Sequence, residues 1–429
     1  MTESVSTGDS GNGSVRVTPI AVIGMSALFP RADRLEAFLD NIVNGTDCIT
    51  DIPEDHWRID DFYDPDPRAE DKTYSMRGGF IPSLDFDPME FGIPPSTVEA
   101  TSGLQLLSLV LAKQVLVDSG VPGAEWFDPQ RAGVVLGTAG ASPLARDVIC
   151  RTQTPLLVEV LVSSGLSVDQ AEAIAEKYKL AFAPWQENTF PGILGNVVAG
   201  RIANRFNFGA LNCTTDAACA SSLAAINLAI SELSLGRADF MLAGGCDLEN
   251  SPVMYLCFSK TPALSVSGTI KPFDEKNDGT LIGQGIGMVA LKRLADAERD
   301  GDQVYAVIKG MGSSSDGRFK SIYAPRVEGQ VDAMHRAYAA AGLSPESVRL
   351  LECHGTGTPI GDMVEVEALK QVFGAYGLPN QSVAIGTVKS QIGHTKCAAG
   401  AAGIIKAVLA LHHRVLPPTI NVTTPNRQM

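Results

Sequence analysis

Two segments, Ser221–Leu235 (SSLAAINLAISELSL) and Thr395–Leu411 (TKCAAGAAGIIKAVLAL), read as helices that are apolar or small on every face. A helix without a polar stripe must be covered on all sides, and the Ala and Gly content lets backbones approach closely. One such helix in each half of the chain predicts a central helical layer sandwiched between two sheets. The surrounding text agrees. Apolar, β-branched runs ending in Gly or Ser at Pro19–Leu28, Arg131–Thr138, Asp239–Cys246, Gln303–Ser313 and Val383–Val388 read as buried strands. Thr101–Gly120 and Ser167–Leu180 carry helical spacing. Strands alternating with helices predict an α/β fold with parallel sheets wholly or mostly buried. Residues 30–100 are rich in Pro and Asp and read as loop or cap. The chain divides into halves at 18–265 and 266–429.

Composition supports a large core: 45% of the 429 residues are hydrophobic and only 19% charged. That excludes a disordered chain or a disulfide miniprotein. A formal charge of −14 argues against a nucleic-acid partner, which would need cations to displace counterions. No apolar run reaches the roughly 18 residues of a membrane span, so no membrane is expected. Residues 1–17 are small and polar, without the basic and apolar regions of a signal peptide, and read as a disordered tail. Eight scattered cysteines without a CxxC pair suit reduced thiols in a cytoplasmic protein.

Three motifs carry chemistry. Thr214–Leu223 (TTDAACASSL) places Cys219 at the start of the first buried helix, where free N–H groups and partial positive charge favour thiolate; a lone cysteine is otherwise most often an inert core residue. Leu351–Asp362 (LECHGTGTPIGD) releases His354 from a strand into a Gly-Thr loop that brings backbone and hydroxyls close to a ligand; a satisfied structural histidine is an equal reading of that string alone. Val388–Gly400 (VKSQIGHTKCAAG) sets Lys389 and His394 on either side of a glycine turn before the second buried helix. Neither His394 with Cys397 nor Cys353 with His354 supplies a four-ligand set, so no metal is expected.

Together, in this order, Cys219, the HGTGT string and the KSxxGHT string resemble the β-ketoacyl synthases, the condensing enzymes of fatty acid and polyketide assembly. The resemblance spans residues 18 to 425. DKTYSMRGGFI, EFGIPPSTVEATSGLQLL, FSKTPAL and SSSDGRFKSIYAPR look most like the ketosynthase of iterative, type I polyunsaturated fatty acid synthases; polyketide and glycolipid synthases stay open. The resemblance implies a duplicated thiolase-like fold in five layers, αβαβα, with the site between the halves. By it, Cys219 takes the acyl chain, and His354 and His394 bind malonyl and assist loss of carbon dioxide. Lys389 orders the site electrostatically, held by Glu365, while Thr356 and Thr358 contact the phosphopantetheine arm, a loop-capping role for both hydroxyls being an equal reading. No cofactor is permanently bound. Substrates arrive on the phosphopantetheine of acyl carrier protein, with acyltransferase and other megasynthase domains as further partners. A homodimer is implied through an edge strand at Phe206–Thr215 (FNFGALNCTT).

The sequence departs from the family pattern in places. Gly-Glu-Gly is Gly283-Gln284-Gly285, Lys-Ser-Asn is Lys389-Ser390-Gln391, and Cys-Ser-Ser-Ser is Cys219-Ala220-Ser221-Ser222. The chain stops at Met429, soon after LPPTINVTTPN, without the late Gly-Phe-Gly-Gly segment that lends a backbone N–H to the cysteine. The second half therefore reads as truncated: a fragment of a longer megasynthase, or an incomplete site. Two other functions compete with condensation. A non-catalytic module that docks carrier protein or supports dimerisation would not need Cys219, His354, Lys389 and His394 intact. A Cys-His hydrolase would leave the second histidine and Lys389 unexplained.

Overall fold

The structure, a computed structural model, describes residues 18–139 and 143–428; the expected tail at 1–17 lies outside them. Eight strands concern the site: β1 (Ile20–Leu28), β2 (Ala132–Gly137), β3 (Asn212–Thr215), β4 (Phe240–Asp247), β5 (Gly285–Arg293), β6 (Ala306–Ile308), β7 (Leu350–Glu352) and β8 (Ala384–Gly386). Six helices frame them: α1 (Gly103–Asp118), α2 (Val197–Phe206), α3 (Ser221–Ser234), α4 (Val327–Ala341), α5 (Pro359–Gly374) and α6 (Ala399–His413).

The larger sheet has the order β3-β2-β4-β5-β1-β6. It is mixed, which corrects the expectation of parallel sheets. β2 runs parallel to β3 and β4, whereas the β4–β5, β5–β1 and β1–β6 pairs are antiparallel. The expected division at residue 265 cuts through this sheet, because β5 and β6 lie beyond it and pair with β4 and β1. Strand β5 (GIGMVALKR) went unread. Buried on both faces and opened by glycines, it has neither alternation nor a clear start. Of Gln303–Ser313 only Ala306–Ile308 pairs, and of Phe206–Thr215 only Asn212–Thr215 does, Phe206 ending α2.

The four central strands, β2, β4, β5 and β1, feed two cores. In β4, Phe240 and Leu242 pack beneath the sheet with α1 and α2, while Met241 and Ala243 pack above it with α3 and α6. In β1 the alternation is reset by a bulge between Val22 and Gly24, which keeps Met25 and Ala27 on the α3/α6 side. The second sheet, parallel β7–β8, turns Leu351 and Ile385 toward Val366 and Leu369 of α5, with α4 packed on α5. Glu352 of β7 points the other way, to Lys406 of α6. The layers therefore run α1/α2, large sheet, α3/α6, small sheet, α4/α5: αβαβα with the two apolar helices in the centre.

Close approach at that centre depends on Gly245. A Cβ there would collide with Ser222 Oγ and the Cys397 carbonyl, that is, with the first turns of both central helices. Ser222 Oγ donates a hydrogen bond to that same carbonyl. The surface helix expected at 167–180 is Val168–Lys179, opened by a reciprocal Ser167–Gln170 capping box.

Candidate active site

Cys219 sits in a single 3₁₀ turn, Ala218–Ala220, which runs directly into α3. Ala218 adopts a left-handed backbone, φ 50°, which is uncommon without glycine and turns the chain sharply from β3 toward the helix. His394 is delivered by a second sharp turn. Gly393 at φ 81° ends the short helix Lys389–Ile392, and the His394 N–H then donates to the Leu281 carbonyl at 2.7 Å. His354 leaves β7 into the HGTGT loop. These elements, far apart in sequence, bring Cys219, His354 and His394 together: one ligand atom from each lies within 4.8 Å of the others.

The decisive contact is His394 Nε2 to Cys219 Sγ, 3.1 Å. The Lys396 backbone N–H donates to His394 Nδ1 at 3.0 Å. Nδ1 is therefore the acceptor, the neutral ring carries its proton on Nε2, and that N–H points at sulfur. His394 is buried, and burial, with Lys389 next, holds its imidazole well below the ordinary range, so the neutral form persists. His354 lies 5.4 Å from it, ring to ring and edge-on. It is exposed to the cavity yet lies deep in the protein, and that depth together with the Lys389 ammonium keeps it neutral as well. A metal on these three residues would need the Nε2 lone pair, which the Lys396 N–H leaves protonated, so the donor set does not fit a metal.

The Cys219 thiol is shifted upward, not downward as its place at a helix start suggested. The protein packed around it outweighs the pull of the Lys389 and Lys396 ammoniums. Lys389 is buried, which lowers its own pKa against the charges of Glu352 and Glu365. Cys219, His354, Lys389 and Glu352 share a cavity of ≈ 310 Å³ whose remaining wall is small and apolar, including Leu223, Gly400 and Ile404.

Glu365 does something other than grip Lys389. Its two carboxylate oxygens accept the backbone N–H groups of His354 at 2.7 Å and Gly355 at 2.8 Å, so it holds the loop that carries the histidine. Asp362, which sequence reasoning missed, does the same further on. It accepts from the N–H groups of Gly357 and Phe273 and from the Asn277 amide, tying the loop to residues 273–277. The available signal was two acids in the first two turns of the helix after the Gly-Thr loop, where carboxylates are favoured. Thr356 and Thr358 bond to one another, hydroxyl to hydroxyl at 2.9 Å.

Two departures from the family pattern find reasons. The Gln284 amide donates to the Leu248 carbonyl at 2.9 Å and accepts from the Ile81 N–H at 3.2 Å; a carboxylate could not donate to that carbonyl. The longer Gln391 amide reaches the carbonyls of Asn41 and Thr46. Glu352 and Lys406 form a buried pair at 2.7 Å that motif reading did not single out. All eight cysteines are free, and among the described residues no helix is long and apolar enough to cross a membrane.

Comparison with known proteins places this geometry. Residues 17–297 match the profile of the β-ketoacyl synthase N-terminal domain and residues 305–423 that of its C-terminal domain. A polyunsaturated fatty acid synthase polypeptide of Thraustochytrium sp. is 45% identical over 410 residues, 95% of this chain and 14% of that protein. Polyketide synthase PksN of Bacillus subtilis is 36% identical over 416 residues, 95% of this chain and 7% of that one. The chain thus spans a small part of these relatives. The oxazolomycin ketosynthase domain OzmH KS7 of Streptomyces albus superimposes with a TM-score of 0.81 at 30% identity, covering 96% of this chain and 65% of that one. The PfaC keto synthase–chain length factor gives 0.83 at 30% identity, covering 95% and 43%. The five layers are those of the thiolase-like fold, and the chain belongs to the β-ketoacyl synthase family.

Proposed function

We propose that this chain carries out decarboxylative Claisen condensation between an acyl group on Cys219 and a malonyl group on acyl carrier protein, extending a polyunsaturated fatty acid or polyketide chain. The observation that carries this reading is the His394 Nε2–H aimed at Cys219 Sγ, with Nδ1 already taken by the Lys396 N–H. A hydrolase histidine must accept the thiol proton, whereas this one is poised to donate. Two neutral imidazoles, each with a ring nitrogen within 4.8 Å of the other's and of the Cys219 sulfur, suit a developing oxyanion, where each donor is typically worth about 3–4 kcal/mol.

In the proposed sequence the Cys219 sulfur attacks an acyl thioester, and the carrier thiolate leaves and takes up the cysteine proton. The malonyl carboxylate then departs as carbon dioxide, leaving an enolate whose oxygen accepts from His354 and His394. The enolate carbon bonds to the acyl carbonyl carbon, and the carbon–sulfur bond to Cys219 breaks, releasing a Cys219 thiolate that takes a proton from water to regain the thiol. Glu365 and Asp362 fix the loop that carries His354, and the small apolar wall by Leu223 and Gly400 makes room for the acyl chain. Thr356 and Thr358 meet the phosphopantetheine arm by exchanging their mutual bond for one to the arm. Acyl carrier protein, acyltransferase and other megasynthase domains are the partners this reading requires, and a second copy pairs at β3.

The test separates loading from condensation. His354→Ala and His394→Ala are expected to retain acyl loading on Cys219, read by intact mass and peptide mapping, while condensation with malonyl-carrier protein falls about 100- to 1000-fold. Folded variants that both fail to load would instead make one histidine the base of the cysteine.

A further inference from the structure

The Lys396 side chain is 7% exposed, and its backbone N–H meets His394 Nδ1, the ring nitrogen other than the one that faces Cys219's sulfur. Its ammonium has three partners: Asp247 Oδ1 at 3.2 Å, Asn250 Oδ1 at 3.1 Å and the Gly283 carbonyl at 2.7 Å. Its backbone is left-handed, φ 49°, a conformation that costs a non-glycine residue roughly 1–2 kcal/mol unless its surroundings enforce it. That backbone is the one whose N–H reaches His394 Nδ1. A lysine is an expensive residue to bury in a turn of small residues, and this one is fully paired. We infer that Lys396 is a positioning residue for the cysteine–histidine pair: its anchored ammonium pins the turn that aims the N–H at Nδ1 and so holds the Nε2 proton toward Cys219.

The inference rests on the reading of Cys219 as the reactive thiol and adds a second consequence to it. The titratable groups around Cys219 are His394, His354, Lys389, Lys396, Asp247 and, across the shared cavity, Glu352. Of these, the Lys389 and Lys396 ammoniums favour thiolate and Asp247 opposes it. Losing the Lys396 ammonium removes one of the cations and also loosens the His394 N–H that meets the sulfur. Both effects act in the same direction, toward the neutral thiol.

The readout is the pH profile of iodoacetamide alkylation at the Cys219 peptide, followed by mass spectrometry in the full chain and separate from condensation. Lys396→Met is expected to move the profile up by about one pH unit, a roughly tenfold loss of rate near neutrality. Lys396→Arg, which keeps the charge and the donors, is expected to restore most of it. Asp247→Asn keeps an acceptor for Lys396 but removes the opposing anion, and its profile is expected to move down. A folded Lys396→Met chain whose profile overlays the wild type would overturn the inference. Should that variant not fold, a folded Lys396→Arg chain whose profile lies a full pH unit above the wild type overturns it equally. Absence of Cys219 alkylation in the wild type would instead strike the proposed function.

Discussion

Lys406→Met is the most exacting test of how the site is supported. Lys406 Nζ lies 2.7 Å from Glu352 Oε2, with the two side chains 2% and 13% exposed. The other carboxylate oxygen accepts the Val388 N–H at 2.6 Å. Methionine fills most of the lysine's volume, so the cavity contribution is small, and the loss is that of one partner in a buried pair, about 3–5 kcal/mol. For a chain of this size that lowers the thermal midpoint by about 3–6 °C. The deficit should depend on pH. Burial already raises the Glu352 carboxyl above its usual range, with Lys406 opposing it, and removing the ammonium raises it further. A carboxylate whose folded pKa exceeds its unfolded value of about 4.3 destabilises the fold as pH rises from that value through the folded one. Unfolding measured at pH 5.5 and pH 8 should therefore show the smaller deficit at pH 5.5. The double variant Glu352→Gln/Lys406→Met removes both charges of the pair, keeps an acceptor for Val388, and should recover at least about 2 kcal/mol. A pH-independent deficit, or a double variant no better than the single one, would refute the reasoning.

Gly245→Ala should cost about 1–3 kcal/mol by overpacking and slow alkylation of Cys219, because the added methyl strikes the first turns of both central helices; wild-type stability with wild-type alkylation would remove Gly245 from that role. Sedimentation at micromolar concentration should give twice the 45.3 kDa of one chain, since β3 leaves one strand edge unpaired beside the nucleophile; a monomer would refute pairing there.

The sequence disclosed what depends on local composition. The two helices without a polar stripe are the two central ones, because nothing but full enclosure suits that pattern, and the small residues around Cys219 lie where the helix starts must touch the sheet. What stayed hidden depends on distant pairing. The direction of β5 relative to β4 and β1 is written in no local pattern when every side chain is buried. The family resemblance makes Glu365 a partner for Lys389, yet the loop's own N–H groups need acceptors and take both of its carboxylate oxygens. Lys396 lies in a run of small residues read as buried, and its ammonium partners, Asp247, Asn250 and the Gly283 carbonyl, come from more than 100 positions earlier in the chain.

Comparison with Cys397 shows what distinguishes Cys219, the thiol the proposed function makes reactive. Lys396-Cys397-Ala398 repeats the geometry of Ala218-Cys219-Ala220: a single 3₁₀ turn with a left-handed first residue, running into a central helix. A helix start alone would make the two cysteines equals. Cys397, however, is buried, and that burial, with Asp247 and Asp216 beside it, pushes its thiol up to about 12. Cys219 opens onto a cavity, has two ammoniums facing it and receives the His394 N–H. The turn positions a thiol, and the charges around the turn decide whether that thiol reacts.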